Sequence, residues 1–169
     1  MGDSNIRRNM KRILITIILF LALLFTGCGI YSLDNFVVPN DIQFIECVNS
    51  LDIVPKIAQY MEDNFTYQIR FLDALSPYDM WLDTHGDCND YGAFGVFVAR
   101  YHGIEAYQVL ITYVDTMTTH INAVYKVGEL WHITDCWIHY AAFRTIKEAM
   151  EWHAIYTGKN MKKYKILGD

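Results

Sequence analysis

One segment constrains the fold of this chain more than any other, because it predicts a helix that is apolar on every side. Asp87 is a favourable N-cap residue, and Asp90 follows three residues later, as in a capping box. The helix that they begin is apolar from Tyr91 to Ala99, and Gly103 favours a C-terminal cap. A helix without a polar face has to be buried. We therefore expect the rest of the chain to pack around it.

The flanking segments predict an α+β fold. Upstream, "SLDIVPKIAQYMEDNF" predicts a helix with Asp52 as N-cap and Pro55 in its first turn, and "SPYDMWLD" predicts a short helix capped by Ser76. Downstream, "EAYQVLITYV" predicts a strand, "THINAVYKVGELWHITDCW" a hairpin, and "RTIKEAMEWHAIY" a terminal amphipathic helix. Helices followed by antiparallel strands are typical of an α+β domain rather than of a doubly wound sheet.

The first 28 residues have the pattern of a targeting segment. Four basic residues precede an uncharged apolar stretch of 15 residues, Ile13 to Gly27, which is short for the about 20 that a membrane span needs. "LLFTGCG" then resembles a bacterial lipobox in which Cys28 receives lipid, although Phe25 stands where that pattern prefers Leu. An uncleaved anchor helix is the alternative. Both interpretations export the domain and hold it at the cell membrane.

The predicted organisation has three parts: a signal or lipoprotein-type anchor over 1–28, a tether and first segment over 29–51, and a domain over 52–169. The first part carries four of the 14 Lys and Arg residues and one of the 19 Asp and Glu residues, so the remainder has a formal charge of −8. An acidic domain repels phosphates. We therefore expect no nucleic acid among its partners.

The predicted central helix places Cys88 directly after its N-cap. Unpaired N–H groups and the positive end of the helix dipole meet there, and both stabilise a thiolate, the nucleophilic form of the side chain. The same N–H groups can bind an oxyanion. The alternative is a buried structural cysteine, since cysteine is among the most buried residue types. The polar neighbours Asp87, Asn89 and Asp90 argue against a sealed core position, but the position alone leaves both interpretations open.

Three cysteines follow Cys28, and an odd number in an exported domain indicates one unpaired thiol. Cys88 is that thiol if Cys47 pairs with Cys136. The pairing does not follow from the sequence, and all three can equally be reduced. If Cys88 is itself oxidised, the chain is instead a structural, disulfide-held surface protein.

The hairpin selects a base for this thiol from six histidines. A two-residue turn at Gly128-Glu129, with Gly first, pairs Val127 with Leu130. That register puts His120 and Asp135 on one face of the sheet as diagonal neighbours, within reach of a hydrogen bond. A turn one residue longer would put them on opposite faces. A carboxylate in that place fixes the tautomer of an imidazole and stabilises its protonated form.

The other histidines have less suitable positions for a base. His85 lies in the loop before the thiol without an evident orienting partner, and His102 lies at the far end of the central helix. His132 faces away from the first histidine of the hairpin, and His139 and His153 are predicted to be surface or packing residues.

A metal site would need a different set of side chains. His132, Cys136 and His139, together with Cys88, contain suitable ligand atoms. However, the chain has no CxxC or HExxH motif, and their spacing matches no structural zinc pattern. We therefore expect no metal.

These motifs together resemble the transglutaminase-like superfamily. "HGDCNDYGAFGVFVARYHGIEAYQV" is similar to the cysteine motif of that family, in which Gly and a polar residue precede the nucleophile and an apolar helix follows. "THINAVYKVGELWHITD" is similar to its second half, with His, an apolar strand, a turn, Trp and the orienting Asp. The resemblance runs roughly from Asp52 to Trp137, which is most of the exported part.

The resemblance implies a papain-like α+β fold, in which a central helix that bears the cysteine packs on an antiparallel sheet. It implies Cys88 as nucleophile, His120 as base and Asp135 as the residue that orients the base. Trp81 and Tyr67 are candidates, by position, for a second oxyanion donor or for the lining of the cleft. No cofactor is implied.

The expected function is that of a membrane-tethered thiol enzyme that cleaves or transfers amide bonds of a protein or peptide through a thioester. Members of the family include protein cross-linkers, peptidases, amidases and proteins without known catalysis, so the reaction itself stays open. The alternative is a non-catalytic lipoprotein module that binds peptide in the same cleft. The complete set of Cys88, His120 and Asp135 weighs against that alternative.

Overall fold

The architecture is given by a computed structural model, which describes residues 31–33, 36–70, 74–114 and 118–168. These residues contain five α-helices and seven β-strands. The helices are α1 (Ile42–Ser50), α2 (Val54–Asn64), α3 (Pro77–Asp83), α4 (Cys88–Tyr101) and α5 (Ile146–Tyr156). The strands are β1 (Thr66–Tyr67), β2 (His85–Gly86), β3 (Ala106–Tyr113), β4 (Thr119–Val127), β5 (Leu130–Asp135), β6 (Ile138–Phe143) and β7 (Met161–Leu167).

Strands β3 to β7 form one five-stranded sheet in the order β6-β5-β4-β3-β7, and every neighbouring pair in it is antiparallel. The two short strands β1 and β2 form a separate parallel ladder. Four helices precede the main sheet in the chain, and α5 lies between its last two strands. The predicted α+β class, with the cysteine-bearing helix packed on an antiparallel sheet, is confirmed.

The sheet separates two apolar cores. On one face, α4 packs against β3 and β4, and the upstream helices complete a core that includes Phe44, Met61 and Phe94. On the other face, α5 covers a second core that includes Ile133 and Met150. Since successive side chains of a strand point to opposite faces, the same strands contribute to both cores.

Helix α4 is the centre of the fold, as the sequence predicts, and its residues from Asn89 to Ala99 are all buried. It can lie close to β4 because Gly95 has no side chain: a Cβ there would collide with the Tyr125 hydroxyl. That hydroxyl is itself held by Thr134 Oγ1 at 2.9 Å. The glycine therefore allows the middle of α4 to pack closely on β4.

Two predicted helix starts are confirmed by their caps. The Ser76 hydroxyl accepts a hydrogen bond from the backbone N–H of Asp79 at 3.1 Å, and Pro77 is the first residue of α3. Asp87 and Asp90 form a complete capping box at the start of α4. Both signals lie within a few residues of sequence, which is why they can be predicted without the fold.

The prediction that Asp52 caps α2 is wrong. The helix begins at Val54, and its N-cap is Ile53, which makes no side-chain capping bond. Asp52 pairs instead with Lys56 at 2.8 Å. Pro55 lies in the first turn, as predicted, and needs no N–H partner there.

Elements without a counterpart among the sequence predictions include α1, β2, β6 and β7. Asp41 caps α1 by accepting from the backbone N–H groups of Gln43 and Phe44, and Phe44 and Val48 are buried against the other helices. The end of the segment assigned to a tether and first segment, 29–51, therefore contributes to the core of the domain.

The predicted hairpin register is confirmed. Val127 pairs with Leu130 and Ala123 pairs with Thr134, so the turn has two residues. Gly128 has a φ of +60°, the left-handed value that the first turn position of a type II′ hairpin requires. The faces of β4 and β5 are therefore those that the sequence predicts.

The predicted anchor lies outside the described residues, including Cys28 and the apolar stretch before it. Among the residues that are described, no helix has the length and apolar character needed to cross a bilayer. The lipobox and anchor-helix interpretations both stay predictions.

Candidate active site

Cys88 is the first residue of α4 and is half-buried. Its position is fixed by the capping box: Asp87 Oδ1 accepts from the Asn89 N–H at 2.9 Å, and Asp90 Oδ2 accepts from the Asp87 N–H at 2.8 Å. Asp90 Oδ1 also accepts from the Leu75 N–H at 2.6 Å. The thiol therefore lies at a helix N-terminus that both flanking carboxylates hold in place.

The ladder of β1 and β2 brings Tyr67 to the thiol. Tyr67 pairs with Gly86, and the Gln68 N–H donates to the Gly86 carbonyl at 2.8 Å. Burial raises the pKa of Tyr67 above its usual value, and the negative charges of Cys88 and Asp135 raise it further. Tyr67 is nevertheless 42% exposed, and its protonated phenol is a hydrogen-bond donor.

His120 bridges the thiol and a carboxylate. Its Nε2 lies 2.7 Å from Asp135 Oδ1, and Cys88 is close enough to raise the pKa of the imidazole. Burial lowers the pKa of His120, but the hydrogen bonds to Asp135 and Cys88 outweigh burial and raise it from 6.5 to about 9. The imidazole is therefore held as a cation at neutral pH, between two groups that stabilise its charge.

The site lies at the end of the sheet where its two faces meet. His120 pairs with Ile111 of the second core, so its strand position belongs to the face that α5 covers. Cys88 packs with the core on the other face. The thiol and the imidazole can meet because α4 begins near the start of β4.

His153 also belongs to this site, although the sequence does not predict it as a site residue. Its Nε2 lies 3.0 Å from Asp135 Oδ2, and its side chain is only 1% exposed. The prediction of a surface or packing residue misses this contact. The available signal was the spacing of Ala149, Met150 and His153, which places the histidine on the buried stripe of α5.

Asp135 thus accepts a hydrogen bond from an imidazole on each of its oxygens. Burial raises the pKa of this carboxyl, but the bonds from His120 and His153 outweigh burial and hold its pKa well below the usual range. Asp135 is therefore ionised throughout the neutral range.

Trp81 has contacts that give it a structural role. Its ring packs on Phe44 and Tyr78, with centroids 5.4 and 6.0 Å away, and its side chain hydrogen-bonds Tyr60. These partners belong to the core on the helical face. The contacts do not support an oxyanion role for Trp81.

The remaining cysteines and histidines do not complete the constellation. Cys47 and Cys136 are free thiols, as is Cys88. Cys136 is buried, and burial together with the negative charges of Asp135 and Cys88 raises its pKa, so it stays a thiol. His85 bonds the Asp83 carbonyl through Nδ1 at 2.8 Å.

His132 and His139 form a pair of their own, with Nδ1 of one 3.0 Å from Nε2 of the other. His102 bonds the Val48 carbonyl at 2.8 Å at the end of α4. The side chains of the hypothetical metal site are therefore not gathered around one point. His132 contacts His139, whereas Cys88 lies near His120.

His120, Asp135 and His153 have ligand atoms within 4.8 Å of one another, a spacing that would also suit a metal ion. The two imidazoles, however, meet different oxygens of the carboxylate, at hydrogen-bond distances of 2.7 and 3.0 Å. Each ring nitrogen is thus directed at an acceptor rather than at a common point. All three side chains are thus joined by hydrogen bonds.

The family of this chain follows from the match of its sequence to a family profile. The profile of the transglutaminase-like superfamily matches residues 45–142, which is more than half of the chain. The chain belongs to the transglutaminase-like superfamily. The matched range includes α4 with Cys88 and the hairpin with His120 and Asp135.

Comparison with solved structures finds a crystal structure of a candidate cysteine protease from Cytophaga hutchinsonii. The two are 15% identical, with a TM-score of 0.40, and the match covers 83% of this chain and 56% of the other. The comparison with curated proteins returned no match.

Proposed function

We propose that this protein is a thiol enzyme that attacks amide or peptide bonds, with Cys88 as nucleophile, His120 as acid and base, and Asp135 as the carboxylate that orients His120. The observation that carries the proposal is the chain of contacts from Cys88 through His120 to Asp135 at the start of a buried helix. A nucleophile, a base and an orienter in contact are the features that thiol catalysis needs.

In the proposed reaction, the Cys88 thiolate attacks the carbonyl carbon of an amide, and the carbonyl oxygen takes up the negative charge. When this intermediate collapses, the C–N bond breaks, His120 gives its proton to the leaving amine, and the acyl group stays on Cys88 as a thioester. Water or a second amine then attacks the thioester and gives its proton to His120. The C–S bond breaks and the thiolate returns.

The oxyanion would be bound at the start of α4. Backbone N–H groups at a helix N-terminus are suited to a developing negative charge, and we assign the Cys88 N–H to this role. Tyr67 is the proposed second donor, since burial and the nearby charge of Cys88 raise the pKa of its phenol, which therefore stays protonated. Trp81 is engaged with other partners.

The thiol is tested by trapping. Iodoacetamide or an acyl-amide probe should label Cys88 faster than free cysteine at neutral pH, with the labelled peptide identified by mass spectrometry. Cys47→Ser is the matched control, because it removes a half-buried thiol without touching the site, and it should leave the rate unchanged. Labelling of Cys88 no faster than of free cysteine would remove the proposal.

The alternative is a module that binds peptide without reacting. Cys88→Ala separates the two, because it removes the nucleophile and leaves the cleft. Full biological effect of Cys88→Ala in cells would establish binding as the function, and loss of effect supports catalysis.

We further propose that the domain is tethered to the exported face of a membrane through Cys28. Support comes from the sequence: a basic segment, an apolar stretch and a lipobox-like "LLFTGCG". Cys28→Ser should leave an uncleaved precursor and abolish labelling by a fatty-acid analogue. Unchanged processing of Cys28→Ser would favour an uncleaved anchor helix instead.

A further inference from the structure

We propose that His153 is a positioning residue for the proposed reaction: its Nε2–H holds one oxygen of Asp135 so that the other oxygen keeps its alignment with His120. This inference rests on the thiol-enzyme function proposed above and extends its three residues to a fourth. His153 does not touch the thiol. It acts through the carboxylate.

The physical need for a second donor lies in the aspartate itself. The torsion that turns an Asp carboxylate is broad and soft, so a carboxylate with one partner can rotate away from it. His120 takes Oδ1 at 2.7 Å and His153 takes Oδ2 at 3.0 Å. With both oxygens bound, the plane of the carboxylate is fixed.

The geometry of the two rings agrees with this arrangement. His120 and His153 lie parallel, with an interplanar angle of 2° and centroids 5.4 Å apart. Two imidazoles that donate to the two oxygens of Asp135 are held side by side in this way. The position of one ring therefore restricts the position of the other through their shared acceptor.

The surroundings of His153 are compatible with the tautomer that this role requires. Its Nδ1 lies 3.4 Å from the hydroxyl of Tyr113, which is 1% exposed. Burial raises the pKa of Tyr113 to about 12, so the hydroxyl keeps its proton and can donate to Nδ1. A tautomer with hydrogen on Nε2 donates to Asp135 and leaves Nδ1 to accept from Tyr113, so it satisfies both contacts.

The support under His153 is rigid. It lies on α5, whose N-cap Thr145 accepts from the Glu148 N–H at 3.1 Å. The neighbours Met150 and Ala154 on the same face are buried in the second core. A donor on a packed helix can hold a carboxylate more firmly than one on a loop.

Three variants of His153 separate a positioned donor from a buried polar side chain. In His153→Gln the amide nitrogen can reach the place of Nε2, whereas in His153→Asn it reaches only the place of Nδ1. His153→Leu removes the donor. The readout is the rate at which iodoacetamide alkylates Cys88 across a pH series, resolved from Cys47 and Cys136 by peptide mass spectrometry, with thermal unfolding as a check of folding.

We expect His153→Gln to keep the wild-type rate within about threefold, and His153→Asn and His153→Leu to lose on the order of tenfold at neutral pH. A structural role would give Gln and Asn the same result. Equal losses in Gln and Asn, or wild-type rates in all three, would overturn the positioning role. A wild-type Cys88 no more reactive than free cysteine would instead refute the thiol-enzyme function.

A measurement on the wild type decides the matter if the variants do not fold. Nitrogen–proton correlation spectra of the imidazoles should show the proton of His153 on Nε2. A proton on Nδ1 alone would leave nothing to donate to Asp135 and would contradict the proposal. So would a tightly bound zinc ion in the purified protein, because it would make the cluster a metal site.

Discussion

Two pairs of histidines lie against the same sheet, and they differ in what stands between the rings. His120 and His153 stack with centroids 5.4 Å apart and share the carboxylate of Asp135. His132 and His139 stack at 5.2 Å and contact each other directly, nitrogen to nitrogen, at 3.0 Å. The ring geometries are similar, but the electrostatic surroundings are not.

The two pairs differ in the pKa values of their imidazoles. Burial lowers the pKa of His132, and burial together with the charge of His132 lowers that of His139. Burial also acts on His120, yet its pKa rises to about 9, because Asp135 and Cys88 bind its protonated form. A buried imidazole thus becomes a cation only where an anion is placed beside it. This contrast locates the site more sharply than the presence of histidine does.

The largest expected effect comes from Asp135→Asn, which takes the carboxylate out of the first pair. Asparagine can bond either tautomer, so His120 can present the wrong nitrogen to Cys88. Acylation of Cys88 by an acyl-amide probe should slow by roughly 10²–10⁴. His139→Gln, in the pair without a carboxylate, is the control and should keep the wild-type rate. An Asp135→Asn protein as fast as wild type would show that Asp135 does not orient the base.

The next largest effect is on the pH dependence of the free energy of unfolding, which has opposite signs in the two histidine pairs. The pKa of His120 in the folded protein, about 9, exceeds the unfolded value of 6.5. Its contribution to the free energy of unfolding is therefore fully present below pH 6.5 and is lost as the pH rises through 9. For His132 and His139 the folded pKa is lowered, so their contribution is present above the unfolded pKa and is lost as pH falls.

Urea unfolding of His120→Gln against wild type measures the first of these signs. The destabilisation should be largest near about pH 6 and smaller by about 1–3 kcal/mol near about pH 10. For His139→Gln, the destabilisation should instead shrink as the pH falls below about 6. The same slope in both variants would mean that the two pairs do not differ electrostatically.

A smaller effect is expected when only the thiol is removed. Cys88→Ala takes away one of the two groups that raise the pKa of His120, while Asp135 remains. The pKa of His120, followed by NMR titration, should fall by on the order of one unit and stay above 6.5. The titrations of His132 and His139 should not move. An unchanged His120 would show that it does not face Cys88.

The smallest effect is expected from the second pair. His139→Gln removes the contact with His132, but both rings are only partly buried and no charge is left without a partner. The free energy of unfolding near neutral pH should change by less than about 1 kcal/mol. Alkylation of Cys88 should proceed at the wild-type rate. A large loss in either measurement would give this pair a role that the contacts do not suggest.

The two halves of the site differ in how far they could be predicted. The environment of Cys88 depends on Asp87 and Asp90, which are adjacent or nearly so in sequence. The alignment of His120 with Asp135 depends on one tight turn, and turn length fixes register. Both were predicted because each depends on a few neighbouring residues.

His153 could not be assigned in this way. It is 18 residues from Asp135, and its contact depends on how α5 packs on the sheet. The same holds for β7, which joins the sheet next to β3 from the end of the chain. Even a local signal fails when two partners compete, since Asp52 is bound by Lys56 instead of capping α2.

By itself, the sequence determined the buried central helix, the thiol at its start and the register that aligns His120 with Asp135, because caps, turns and apolar patterns act over short distances. Only the tertiary structure decided that the start of α4 meets the end of the sheet, and that α5 delivers His153 to the second oxygen of Asp135. Those contacts join segments that are distant in the chain, and packing of two cores against one sheet brings them together.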